Sequence, residues 1–163
     1  MKIFGVVGYK NTGKTGLMER LVTEIAGRGL TVSTIKHAHH SFDVDHEGKD
    51  SFRHRAAGAS QVLLSSNNRW ALMSELRGND EPKLEDLLAK LNPVDLVLIE
   101  GYKRDGHTKI ETYRAQTNGS LLAPNDPTIL AVAADCPVSV EQPVFDLDDT
   151  KSIANFILDK VTP

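Results

Sequence analysis

Gly8-Tyr9-Lys10-Asn11-Thr12-Gly13-Lys14-Thr15 is the stretch of this chain with the most evident chemistry, because it fits the spacing G-x-x-x-x-G-K-[ST]. Glycines so placed let backbone N–H groups converge on phosphate oxygens, and a helix opening just after them adds the positive end of its dipole. Lys14 is then expected to reach the β and γ phosphates of a nucleoside triphosphate, and the Thr15 hydroxyl to ligate Mg²⁺. The competing reading is a glycine-rich turn with an exposed lysine. Context speaks against it: the apolar run Ile3 to Val7 precedes the motif, and a helical pattern follows.

A divalent ion beside phosphates needs hard oxygen ligands, and Asp95-Leu-Val-Leu-Ile-Glu100-Gly101 offers a carboxylate at each end of an apolar strand. Ligands of open α/β sheets bind at the C-terminal ends of strands, which selects Glu100 and leaves Asp95 as a strand-start or surface residue. Between His37 and Asp50 lie four histidines and several acids. Three readings stay open there: a zinc or nickel site, a switch over the nucleotide with Asp43 or Asp45 near Mg²⁺, or a solvated loop. Arg53, His54 and Arg55 read by default as a solvated helix face, and alternatively as contacts to phosphates or to a partner's acids. Asp135 ends the run Ile129 to Ala134, where an acid can pair with the N1 and N2 hydrogens of guanine; strand-ending aspartates are also common turn formers. Trp70, the single tryptophan, reads by default as core, and alternatively as an interface anchor.

Elements must position these groups. Leu17, Met18, Leu21, Val22 and Ile25 recur at helical spacing over about Lys14 to Arg28, ended by Gly27 and Gly29. Thr31 to Lys36 reads as a second strand and Ser51 to Ala59 as helical. Gln61 to Ser65 and Arg69 to Leu76 read as a hairpin around Ser66-Asn67-Asn68, and Lys83 to Leu91 as an amphipathic helix. Val94 to Ile99 and Ile129 to Ala134 read as buried strands, and Lys151 to Lys160 as a last helix capped by Asp148 or Asp149. Residues 115 to 128 and 137 to 143 read as loops. Strands alternating with helices give an α/β fold, a P-loop NTPase three-layer sandwich with a mostly parallel sheet and an antiparallel β excursion near 61 to 76. A single nucleotide-binding domain over 1 to 163 is expected.

Composition narrows the function classes. With 163 residues, 40% hydrophobic and 25% charged, the chain has the balance of a globular protein able to bury one core. A net charge of -3 and a pI near 6.1 give no footprint for bulk nucleic-acid binding. The lone Cys136 excludes an internal disulfide and a multi-thiolate zinc site, and fits a reducing, cytoplasmic setting. No apolar run is long enough for a membrane span.

Three motifs together carry a resemblance: GYKNTGKT, then KHAHHSFDVDHEGKDSFRHRAAGA from Lys36 to Ala59, then DLVLIEGYK from Asp95 to Lys103. Over roughly residues 1 to 135 the chain resembles the MobB family, the adaptors of molybdopterin-guanine dinucleotide biosynthesis. The resemblance implies GTP and Mg²⁺ binding, feeble GTPase activity, a homodimer, and a molybdopterin guanylyltransferase (MobA-like) as partner. It implies nucleotide contacts from Gly8, Asn11, Thr12, Gly13, Lys14, Thr15 and Gly16, with Gly101 on the metal side. Asp45 becomes a loop residue near the γ-phosphate, so that Thr15, Asp45 and Glu100 are expected around the metal and Lys14, Asp45 and Glu100 around any hydrolysis. No clear N-K-x-D is present, and Asp135 as the base reader rests on position.

Two other classes share the phosphate loop. A small-molecule kinase usually carries an arginine-rich lid, whereas Arg53, Arg55, Arg69, Arg77, Arg104 and Arg114 are scattered. A nickel- or zinc-insertion GTPase would use the histidines, yet Cys136-Pro137 is followed by Val138 rather than histidine.

Overall fold

A computed structural model describes residues 1–38, 42–117 and 119–161. The chain divides into two compact units, Met1–His37 with Leu91–Pro163, and Ala38–Lys90.

The first unit is built on a parallel sheet. Strand β1 (Lys2–Val7) leads into helix α1 (Lys14–Gly27) and strand β2 (Val32–Lys36). The second unit then supplies helix α2 (Asp50–Ala56), strands β3 (Gln61–Ser65) and β4 (Trp70–Ser74), and helix α3 (Leu84–Leu88). The chain returns to the first unit as β5 (Leu96–Glu100), β6 (Lys109–Tyr113), β7 (Ile129–Ala134), β8 (Val144–Asp146) and α4 (Thr150–Val161). The six strands run in the order β2-β5-β1-β6-β7-β8, all pairs parallel.

One face of this sheet meets α1 and α4. Phe4, Val6, Leu96, Leu98, Ile110 and Ala131 point into a cluster with Leu17, Leu21, Ile25, Ile153 and Ile157. The other face packs Val7, Val132 and Ala134 against Ala123, which opens a short 3-10 turn, Ala123–Asn125. The last helix is capped by Asp149, whose Oδ1 accepts from Ser152 N at 3.1 Å.

Strand β6 was not evident from the sequence, and its composition explains why. Lys109, Glu111 and Thr112 are buried in it, so it lacks an apolar pattern. Each polar group has partners instead: Lys109 Nζ donates to Asp105 O at 2.6 Å and to Thr128 Oγ1, and Glu111 accepts from Leu122 N and Ala123 N at 2.8–2.9 Å. Strand β8 has only three residues and lies at the sheet edge.

In the second unit, β3 and β4 pair antiparallel through Leu63↔Leu72 and Ser65↔Trp70. Val62 and Met73 share one face of the hairpin, buried and half-buried. Trp70 is on the other face and is 61% exposed, correcting its assignment to a core. The period-2 alternation that buries Val62 is what turns Leu63, Trp70 and Leu72 outward.

Candidate functional site

Strand β1 delivers its C-terminus between β5 and β6, with Val6 opposite both Glu100 and Ile110. The chain then turns through Gly8 at φ 144°, Asn11 at 65° and Gly13 at 96° before α1 starts at Lys14. Gly8 is fixed by space as well as by angle: a Cβ there would stand 2.6 Å from Thr112 O and from Thr12 Oγ1. Thr12 is buried, its hydroxyl 2.9 Å from Tyr9 O and 2.8 Å from the Thr112 hydroxyl. Its side chain therefore braces the loop from within.

Lys14 Nζ donates to Tyr9 O at 2.5 Å across the loop. Burial lowers its pKa from the ordinary lysine value; Glu100 works against that shift, and the charges of Lys103 and Lys36 add to it. Four ionised groups thus share one electrostatic neighbourhood. Glu100, at the end of β5, is buried, with Oε1 3.5 Å from the Thr15 hydroxyl and 3.5 Å from Lys36 Nζ. A hydroxyl and a carboxylate side by side are the hard oxygen donors that suit a magnesium ion. Gly101 follows at φ 97°, where a Cβ would meet His37 Cβ at 3.0 Å, and Tyr102 stacks on the His37 ring at 4.5 Å between centroids.

Beside the loop opens a cleft of ≈ 810 Å³, lined by Lys10, Asn11, Gly13, Lys14, Thr15 and Gly16 from the loop and by Arg114, Gln116 and Thr117 from the segment after β6. Asp135, just past β7, acts on that segment: its Oδ1 accepts from Ala115 N at 2.9 Å and fixes the 3-10 turn Ala115–Thr117. Sequence reasoning did not single out Arg114, Gln116, Thr117 or Lys36. The first three follow a strand without apolar periodicity, and the charge of Lys36 offered no signal of its own.

Asp45 belongs to the second unit. It is buried there, and both of its oxygens receive the Arg55 guanidinium, which also reaches Asp43 Oδ1 at 2.9 Å and Glu75 Oε1 at 3.1 Å. Hydrogen bonding from Arg55 holds the Asp45 carboxyl below the ordinary range, against the effect of burial and with help from Ser51. Arg55 is thus the centre of a carboxylate cluster rather than part of a solvated helix face; Arg53, two residues back, is largely exposed. Among the described residues no group of three or more His, Cys, Asp or Glu side chains is placed to hold a metal ion. His39 and His40 lie outside the described residues.

Residues 3–135 match the model of MobB, described as molybdopterin guanine dinucleotide synthesis protein B. The chain belongs to the MobB family. Among MobB relatives, the molybdopterin-guanine dinucleotide biosynthesis adapter protein of Haemophilus influenzae is 40% identical over 158 residues, 95% of this chain and 86% of that protein. The protein of the same name from Escherichia coli is 34% identical over 163 residues, covering 96% and 91%. The crystal structure of a MobB homolog from Bacillus stearothermophilus superposes with a TM-score of 0.75 at 30% identity over 99% of this chain and 98% of that one. Bacillus subtilis MobB, at 24% identity, shares the fold with a TM-score of 0.79 over 99% of each chain. The MobB match spans the phosphate loop, β5 with Glu100, and the segment carrying Arg114.

Proposed function

We propose that this chain serves molybdopterin guanine dinucleotide biosynthesis as a GTP·Mg²⁺-binding adapter that assists a MobA-like guanylyltransferase in the cytoplasm. The observation that carries the nucleotide reading is the single site formed by the Gly8–Thr15 loop, the Lys14 ammonium and the Thr15–Glu100 pair at the open end of a parallel sheet. Thr15 and Glu100 would hold the magnesium, which when bound neutralises charge on the β and γ phosphates. Lys14 binds the same oxygens, and Lys36 and Lys103 add positive field around them. Backbone N–H groups from Gly13 to Gly16 orient the phosphates at the start of α1. Asp135, through Ala115, shapes the nucleoside side of the cleft; guanine recognition is assigned to that side. Any hydrolysis is slow, as the family resemblance implies.

Self-association is part of the reading. Leu63, Trp70 and Leu72 form an exposed apolar face on a two-stranded sheet, a structure that is marginal in isolation. A second copy of this chain is the occupant proposed for that face.

Titration with GTP, GDP and ATP, with and without Mg²⁺, tests the nucleotide reading. Charge-assisted bonds to phosphate are worth about 1.5 to 3 kcal/mol, so Lys14→Ala is expected to weaken GTP binding at least about tenfold with the fold intact. Unchanged GTP affinity in folded Lys14→Ala would remove the assignment. Co-purification with a MobA-like transferase tests the adapter reading, and absence of association with and without GTP counts against it.

A further inference from the structure

We infer that Arg114 is a nucleotide-contacting residue that holds the α-phosphate side of the ligand from the strand opposite Glu100; this rests on the nucleotide-binding reading above. The residue follows β6 directly and lines the cleft together with Lys14, Thr15 and Gly16. Its guanidinium lies against the phosphate loop: a Cβ on Gly13 would stand 3.2 Å from Nε and 3.4 Å from a terminal nitrogen. Its Nε is closed off from solvent and has no hydrogen-bond partner.

That last point separates Arg114 from Arg20 and Lys36. Arg20 is spent on Thr150 Oγ1, Leu147 O and Asp148, and Lys36 is paired with Glu100. Arg114 has no carboxylate within ion-pair distance among the described residues. A guanidinium keeps its charge at any physiological pH and carries five donors in a fixed fork that matches phosphate oxygens. Holding one against a phosphate loop without a protein acceptor fits a donor set whose acceptor is the ligand.

Sheet order decides which phosphate. Thr15 and Glu100 mark the side of the metal and of the β and γ phosphates, and Glu100 belongs to β5. Strand β6 flanks β1 on the other side, so Arg114, Gln116 and Thr117 line the half of the cleft away from that acid. The part of a nucleotide that lies there is the α-phosphate and the sugar, which GTP and GDP share. Arg114 therefore sets general nucleotide affinity, while Lys14 favours the triphosphate.

The experiment measures fluorescent GTP and GDP analogues on wild type, Arg114→Ala, Arg114→Lys and Lys14→Ala. Arg114→Ala is expected to weaken both nucleotides by the same factor, at least about tenfold, with Arg114→Lys recovering part of the loss. Lys14→Ala is expected to weaken GTP more than GDP. In wild type, GTP and GDP are both expected to protect Arg114 from phenylglyoxal, read by peptide mass spectrometry, which needs no variant to fold. Loss of GTP binding alone in Arg114→Ala would place the residue at the γ-phosphate and overturn the assignment. Equal phenylglyoxal labelling with and without nucleotide, or unchanged affinities in the variant, would overturn it too. If wild type binds neither nucleotide, the underlying functional reading fails instead.

Discussion

In the unit formed by residues 1–37 and 91–163, Phe4, Leu21, Leu98 and Ile153 are removed completely from solvent, whereas in the unit 38–90 Leu63 and Trp70 are each 61% exposed. The first unit closes its apolar surface within itself, by laying α1 and α4 on a six-stranded sheet. Among its described residues the second has two strands and two short helices, and its hairpin buries Val62 while leaving Leu63, Leu64, Trp70 and Leu72 exposed. Its order comes from polar chemistry, with Arg55 gathering three carboxylates and Arg77 donating to Arg55 O and Ala59 O, each at 2.9 Å. Chemistry needing fixed geometry belongs on the first kind of surface, and recognition of a second chain on the other kind.

The largest expected effect lies in the first unit. Leu21→Ala removes a fully buried side chain from α1 and is expected to cost about 2 to 5 kcal/mol of stability in chemical denaturation. The double variant Leu63→Ser, Trp70→Ser should change the stability of a single chain by only about 0.5 kcal/mol or less. Sedimentation should show that variant shifted toward monomer. A large stability loss from the hairpin variant with no change in mass would mean that the exposed face is structural, and the contrast between the units would collapse.

How far the sequence made this legible differs by region for physical reasons. The phosphate loop could be read because its glycines answer to backbone demands that no other residue meets, as the Gly8 angle and its neighbours at 2.6 Å show. Helix α1 and strand β7 were legible because single-faced or continuous burial leaves a period in the sequence. Strand β6 was hidden by Lys109, Glu111 and Thr112, whose burial is compensated by hydrogen-bond partners outside the strand; with it went the view of Arg114 at its end. Trp70 misled because a large aromatic residue signals burial by its size, whereas the alternation of the hairpin turns it outward. Arg55 misled because a charge run on a short helix hides the one member that turns inward, with its side chain 15% exposed against 75% for Arg53.

The second unit's polar organisation can be broken in its own way. Arg55→Ala would leave Asp43, Asp45 and Glu75 facing one another without the cation that joins them. Amide exchange over residues 42–76 is expected to accelerate by about tenfold or more, a loosening equal to about 1.4 kcal/mol. Arg55→Lys should rescue little, because one ammonium cannot fork to three carboxylates. Arg53→Ala, at an exposed pair 3.9 Å long, should leave the exchange unchanged. Equal effects at 53 and 55 would mean that net charge rather than the Arg55 fork orders the unit.

A last effect concerns acid, and it falls on the first unit. His107 packs on β1 so closely that a Cβ on Gly5 would stand 2.6 Å from Nε2, and both ring nitrogens are shut off from solvent without a hydrogen-bond partner. Burial lowers its pKa below the ordinary 6.5, the Lys109 charge lowers it further, and Asp105 and Asp126 oppose both. Below about pH 6.5 the unfolded chain therefore binds a proton that the folded chain refuses, and stability falls as pH drops. One proton limits the slope to about 1.4 kcal/mol per pH unit. Glu111 runs the other way: burial raises its pKa, so over its window the folded state holds the extra proton and gains as pH falls. In the second unit Asp45 is held below its ordinary 3.8 and loses its contribution only in stronger acid. Denaturation of wild type between about pH 7 and about pH 5 should show the loss, and His107→Gln should flatten it. A slope that survives His107→Gln would trace the acid sensitivity to other groups and leave the buried ring neutral to stability.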